Sequence, residues 1–197
     1  RIYSLVENLK EPFAKMGKRQ KVIIYILLAF LLVVLIVLVA VKYREKILSI
    51  NRVVVYFVDY DENLQKPYMV TVTRTISPVA DVEERIRKAI EELLKGPTQD
   101  EIEKGIISVM PQKASLLNVY IEDETVYLDF SKEIEEGGGS LLMLERLAQI
   151  VFTATQFDSV KSVRLQIEGS FIEYFSGEGI TDVADPMTRD NFKEFIR

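Results

Sequence analysis

The stretch LAQIVFTATQF, residues 147–157, places polar side chains at regular intervals in an apolar run. Its apolar residues recur with the period of a helix, and the pattern predicts a helix over residues 140–156. Polar side chains follow one another at intervals of three or four on the opposite side. These four residues, called the polar row below, are Glu145, Gln149, Thr153 and Gln156.

The polar row has two interpretations, and both place it on the outside of the domain. A helix that buries Leu and Val on a sheet presents its polar side to solvent by default. In the second interpretation the row binds a partner, because uncharged polar groups cost less to desolvate than charges. We then expect Lys in place of Gln149 and Thr153 to weaken complex formation while the domain stays folded.

A second apolar stretch, VIIYILLAFLLVVLIVLVAV at residues 22–41, contains no charge, Gly, Pro or Ser. A helix of this length reaches roughly 30 Å, the thickness of the hydrocarbon core of a bilayer. A cleaved signal peptide is disfavoured, because its apolar core spans roughly 7–15 residues and this run is followed by KYREK. The sequence therefore predicts a single-pass protein with a cytoplasmic basic tail at 1–21, a transmembrane helix at 22–41, a juxtamembrane linker at 42–51 and an extracytoplasmic domain at 52–197.

The distribution of charge bears on orientation and on partners. Lys and Arg flank the span on both sides with a slight excess before it, which favours an N-terminus inside the cell and a C-terminal domain outside. Residues 1–21 hold six basic and two acidic side chains, which leaves 19 basic and 28 acidic side chains beyond the span. This acidic surplus argues against nucleic acid as a partner. Because the sequence begins at Arg1 rather than Met, we expect a few residues to precede it.

The chain contains no Cys and no His. Thiol nucleophiles, imidazole bases and the usual zinc sites are therefore excluded, and we expect neither an enzyme nor a bound cofactor. Acidic residues at 59, 61 and 62 and at 122–124 offer carboxylates to calcium. Their spacing is not that of an EF-hand, so we expect solvated turns rather than a metal site.

Strand and helix patterns alternate along residues 52–197. Runs of β-branched and aromatic residues predict strands at 52–60, 68–76, 116–121, 125–130 and 162–169. The amphipathic run at 77–97 predicts a helix that starts either at Ser77 with Pro78 or at Asp81 with Glu84 and stops at Gly96 and Pro97. A helical turn ending at Gly105 follows. Together with the helix over 140–156, this order predicts an α+β fold. We expect a compact two-layer sandwich with two main helices on a mostly antiparallel sheet.

Short motifs in this order resemble the GerM domain family, known from sporulation and spore-germination proteins and from other bacterial envelope proteins. LLKGPT at 93–98 and GIISVMP at 105–111 resemble the family's helix end and the turn after it. LLNV at 116–119, VYLDFS at 126–131, LAQIVFTATQF at 147–157 and VRLQIEG at 163–169 follow in the family's order. We expect five residues of these motifs to fix turns through their backbone angles: Gly96, Pro97, Gly105, Pro111 and Gly169.

The resemblance implies a non-catalytic module outside the cytoplasmic membrane, in proteins that assemble or stabilise envelope complexes. The germination proteins often carry a lipid anchor and paired domains. This chain has no Cys for lipidation, one domain of this kind and an apolar span, so only the role of an envelope module carries over.

Two functional hypotheses follow. The first is a membrane-anchored module that binds envelope or membrane proteins, including copies of itself, and contacts the bilayer through residues 22–41. Its expected contact surfaces are the polar row and an exposed strand edge. The alternative is an extracytoplasmic sensor that binds a small ligand or a cell-wall fragment.

Overall fold

The computed structural model describes residues 17–61, 66–176, 180 and 182–196, with the backbone alone at 44–50 and 182. Contacts divide the chain into two compact units, one up to Leu48 and the other from Ser49 onward. Of the predicted basic tail, residues 1–16 lie outside the described part of the chain, as does Glu62 of the acidic turn.

The first element, α1, is the helix Lys18–Ile50. Its stretch Lys18–Tyr43 is long and apolar enough to cross a membrane, by length and composition. Nearly all side chains between residues 22 and 41 are exposed in the structure, whereas a helix that is apolar on every side is normally buried in a protein core or in a membrane. The predicted linker at 42–51 is helical as far as Ile50.

The domain begins with an antiparallel hairpin of β1, Arg52–Asp61, and β2, Lys66–Thr75. The register runs without a shift from Arg52 opposite Thr75 to Asp61 opposite Lys66. Alternate residues of β1, including Val53, Val55 and Phe57, are buried. The hairpin forms a separate two-stranded sheet.

A second sheet has four strands in the order β3-β4-β5-β6. They are Leu116–Glu122, Thr125–Phe130, Ser162–Ile167 and Ser170–Phe171. The two residues between β3 and β4, Asp123 and Glu124, both have positive φ angles, as a tight hairpin turn requires. β4 and β5 are parallel, and the long connection that a parallel pair requires contains a helix, Ser140–Ala154. The other pairs are antiparallel.

Two main helices pack within the domain. The first, α2, is Val82–Lys95; the Asp81 side chain accepts a hydrogen bond from Glu84 N at its start, and Gly96 follows its end with φ of 80°. After the short helix α3, Gln99–Ile102, the chain turns at Gly105 and again at Pro111, whose carbonyl accepts from Ala114 N. The second main helix, α4, is Ser140–Ala154, and Gly169 turns the chain between β5 and β6.

The C-terminal segment 189–195 is a 3₁₀ helix beside α4. The Arg189 guanidinium donates to Phe152 O at 3.0 Å and to Thr155 Oγ1 at 2.9 Å. A cation in this place satisfies carbonyls at the end of α4 and complements the helix dipole. Phe192 and Phe195 are buried and join the single hydrophobic core formed by β1, both main helices and the inner face of the four-stranded sheet.

The predicted α+β class is confirmed, with two main helices and mostly antiparallel strand pairs. One feature differs from the expected arrangement, since the strands divide between two sheets.

An ion pair connects β2 to α3. Both terminal nitrogens of Arg74 donate to the Glu101 carboxylate, each at 2.6 Å, and Thr98 N donates to the same carboxylate at 2.8 Å. Mainly through the Arg74 hydrogen bonds, the pKa of Glu101 is lowered from 4.5 to about 2. Because the folded state lowers this pKa, the pair stabilises the domain above pH 4.5, and the contribution is lost as the pH falls towards 2.

Replacing the carboxylate by Glu101→Gln should therefore remove about 1–2 kcal/mol of stability at pH 7 and less at pH 3. The measurement is urea unfolding of the full chain in detergent micelles at both pH values. Glu103→Gln, an exposed neighbour on the same turn, is the control and should change stability little. An equal loss at pH 7 and pH 3 would show that the pair does not cause the pH dependence.

Candidate functional site

The polar row binds the outer edge of β1. Gln156 accepts from Val54 N at 2.7 Å and donates to Val54 O at 2.8 Å. Thr153 Oγ1 accepts from Tyr56 N at 3.1 Å, and Gln149 Nε2 donates to Tyr56 O at 3.0 Å. These backbone groups of β1 point away from β2, so side chains of α4 and of Gln156, just beyond its end, take the place of a third strand.

The prediction that the polar row faces solvent is wrong. Gln149 and Thr153 are 0% exposed and Glu145 is 1% exposed, while Gln156 is half-buried. The physical reason is that α4 packs against β1, α2, β5 and the C-terminal 3₁₀ helix, which leaves every residue from Glu145 to Ala154 buried. The row is therefore not a docking surface, and Lys at these positions would disrupt the fold.

The segment 105–111 continues the same arrangement. Ile107 and Val58 exchange two backbone hydrogen bonds of 2.8 and 2.9 Å, next along the edge of β1. Gln149 Oε1 accepts from Val109 N at 3.0 Å, so one amide side chain binds both β1 and this segment. The motif GIISVMP thus has a structural role here.

Two ionisable residues of α4 are buried side by side in sequence. Arg146 donates to three carbonyls, Ile134 O at 2.6 Å, Val109 O at 2.9 Å and Glu136 O at 3.1 Å. Burial lowers its pKa to about 10. This value is still well above 7, so the guanidinium is charged at neutral pH. Burial also raises the pKa of Glu145, which accepts from the Tyr60 hydroxyl at 3.0 Å.

Carboxylates do not gather into a metal site within the described residues. Asp59 instead accepts from Tyr68 Oη at 2.8 Å and from Tyr60 N at 2.7 Å, so its oxygens are occupied in the hairpin.

The outer face of the four-stranded sheet presents a group of rings that the sequence reading did not single out. Tyr120, Tyr127 and Arg164 lie opposite one another on three adjacent strands. The two Tyr rings stack with centroids 4.5 Å apart, and Phe171 meets Tyr127 edge-on at 5.9 Å. Arg164 lies 5.4 Å from the Phe171 centroid and donates to Val183 O.

We call these four residues the aromatic sheet face. Phe171 is 54% exposed and the other three are half-buried. Tyr, Phe and Arg are the residue types enriched at the centres of protein interfaces, and their mutual stacking holds them in place before a partner binds. The sequence signal was the alternation in LLNVYIE and TVYLDF, which places both Tyr residues on the face opposite the core.

Removing one member of the polar row should destabilise the domain. Gln149→Leu keeps the volume of the side chain and leaves Tyr56 O and Val109 N without partners, at an expected cost of about 2–4 kcal/mol. Urea unfolding of the full chain in detergent measures this cost. Gln99→Leu, on the exposed side of α3, is the control and should cost under about 0.5 kcal/mol; equal effects would contradict the structural role of the row.

Comparisons with known proteins agree with this fold. The model of the Germane family, described as sporulation and spore germination, matches residues 54–173, more than half of the chain. None of the curated proteins matches significantly.

Among solved structures, the chain is similar to the first GerMN domain of the sporulation protein GerM from Bacillus subtilis, with 26% identity and a TM-score of 0.53 over 70% of this chain and 98% of that one. The tandem GerMN domains of the same protein match with 26% identity and a TM-score of 0.52 over 70% of this chain, which spans 44% of the tandem structure.

A candidate lipoprotein from Clostridium perfringens has the same fold, at 20% identity and a TM-score of 0.50 over 71% of this chain and 88% of that one. The family match spans the six strands and the helices α2, α3 and α4 of the domain, apart from the first two residues of β1. On this evidence the chain belongs to the Germane family of sporulation and spore germination domains.

Proposed function

We propose that this protein is a membrane-anchored, non-catalytic Germane module that mediates protein–protein assembly in the bacterial cell envelope. The observation that carries the proposal is the aromatic sheet face. It offers pre-positioned Tyr, Phe and Arg side chains on a rigid sheet, and such residues supply most of the binding energy in protein interfaces.

The apolar helix α1 supports the anchoring. Its exposed side chains between residues 22 and 41 suit the interior of a bilayer better than water. The excess of Lys and Arg before the span favours a cytoplasmic N-terminus, and the domain then lies outside the membrane. The similarity to a sporulation protein and to a candidate lipoprotein is consistent with an envelope location for this chain.

The orientation can be tested with single cysteines, since the chain has none of its own. Gln112→Cys, exposed in the domain, should react with a membrane-impermeant maleimide in intact bacterial cells. Gln20→Cys, before the span, should react only after the cells are permeabilised. Labelling of Gln20→Cys in intact cells, with Gln112→Cys unlabelled, would reverse the proposed orientation.

The assembly surface can be tested by a charge on the aromatic sheet face. Phe171→Asp should reduce the recovery of cross-linked envelope partners at least about tenfold, because an interface centre does not tolerate an unpaired charge. Leu141→Asp is a matched control, since Leu141 is also 54% exposed and lies on α4, which packs against the inner face of this sheet and not on the aromatic sheet face. Equal recovery with both variants would contradict the proposed surface.

A second candidate function is favoured by one observation. A cleft of about 380 Å³ lies beside the aromatic sheet face, lined by Glu135, Phe171, Ile172, Glu173 and Tyr174, which is within the size range of small-ligand sites. A saturable rise in melting temperature with muropeptides, lost in Phe171→Asp, would favour a sensor of cell-wall fragments over the assembly function.

A further inference from the structure

The second strand of the hairpin has an open edge. The backbone groups of Val53, Val55 and Phe57 pair with β2. Those of Val54 and Tyr56 point to the other side of β1, where they bond to the polar row. The register then turns the backbone N–H and C=O of Met69, Thr71, Thr73 and Thr75 away from β1. Within the described residues, no backbone hydrogen bond outside the hairpin reaches these four residues.

Among the described residues, the other strand edges are bonded to neighbouring groups, irregular in register, or very short. The outer edge of β1 is bonded to the polar row and to Ile107. β3 has a register shift between Leu116 and Asn118, and such bulges hinder edge-to-edge pairing. β6 has only two residues.

Between Met69 and Thr75, the β2 edge lacks the Lys and Pro residues that usually protect an edge strand. Lys and Pro, which discourage edge pairing, occur only at its first two positions, Lys66 and Pro67. From Met69 to Thr75 the strand is regular and rich in β-branched residues, and its one charge, Arg74, is paired with Glu101. The side chains of Thr71, Thr73 and Thr75 are exposed. A long edge with a regular register and a single, paired charge between Met69 and Thr75 is suited to adding another strand.

We infer that β2 pairs with β2 of a second copy of this chain, antiparallel, across a two-fold axis at Val72. The inference deepens the proposed function, because it names self-association as one assembly contact. It also rests on that function, since anchoring in one membrane raises the effective concentration of the two copies.

The register follows from the backbone. With Val72 opposite the second copy's Val72, Thr71 lies opposite Thr73 and Met69 opposite Thr75. Every outward N–H and C=O between Met69 and Thr75 then gains a partner. A register shifted to place Thr71 on the axis would put Thr75 opposite Pro67, which has no N–H to donate.

The side chains also match themselves in this register. Thr–Thr and Val–Val pairs across strands are favourable. Arg74 lies opposite Val70, so no like charges face each other. A self-complementary edge is what an isologous two-fold contact requires, and this is why a second copy, rather than an unrelated peptide, is the expected occupant.

The test uses the full chain in its membrane and a single cysteine on the axis. In the proposed register the two Val72 Cα atoms are about 4.5 Å apart, within the range of about 4.4–6.8 Å that a disulfide spans. Val72→Cys should therefore form disulfide dimers under mild oxidation. Adding Thr71→Pro removes an N–H that points away from β1 and leaves the hydrogen bonds between β1 and β2 their donors and acceptors. It should reduce the dimer at least about tenfold.

The matched control is Asn118→Cys, exposed on the bulged edge of β3. It should give little dimer, and dimer yields equal to those of Val72→Cys would indicate random collision and overturn the inference. Lysine cross-linking of the same membranes separates the two proposals. If Val72→Cys gives no dimer while other envelope proteins are trapped, the self-pairing is wrong and the proposed function stands. If neither adduct forms, both are overturned.

Discussion

The hydrogen bonds between the polar row and β1 are the constraint on which the domain depends. α4 lies against the edge of the hairpin, where the N–H and C=O groups of Val54 and Tyr56 are partly buried. A buried backbone group without a partner costs about 1–3 kcal/mol, and this edge has several. The Gln156 amide both accepts from and donates to Val54, as a peptide group of a neighbouring strand does. A helix can therefore lie beside a sheet edge at little cost, and the hairpin and the four-stranded sheet remain separate.

Much of the fold was readable from local patterns, and the errors have a common cause. The strand and helix periods and the helix stop at Gly96 are determined by neighbours in sequence, and the structure has them within a few residues of the predicted bounds. The burial of Gln149 and Thr153 is determined by β1, about a hundred residues earlier. A polar stripe on a helix is usually solvated, so amphipathicity alone pointed the wrong way. The useful signal was a row of uncharged Gln and Thr side chains on a helix, in a domain where one strand of the hairpin has no second neighbouring strand.

The aromatic sheet face was missed for a similar reason. Tyr120, Tyr127 and Phe171 belong to three strands, and their proximity depends on the strand order and register. Alternation within β3 and β4 shows which residues point away from the core, but not that the rings stack. With the polar row inside the domain, the surfaces that we propose for partners are this sheet face and the β2 edge. They belong to different sheets.

The long separation between β1 and α4 also affects biogenesis. Val54 is synthesised 102 residues before Gln156, which corresponds to about 5–20 s at usual rates of translation. During this interval β1 can pair with β2, and Val58 can bond to Ile107 once that residue has emerged, but the outer groups of Val54 and Tyr56 have no intramolecular partner. The hairpin is then a ribbon with two open edges, and such edges are prone to mispairing. The first strand to be synthesised is thus among the last to have all its backbone hydrogen bonds. Correct folding requires that its outer edge stay unpaired until α4 has been synthesised.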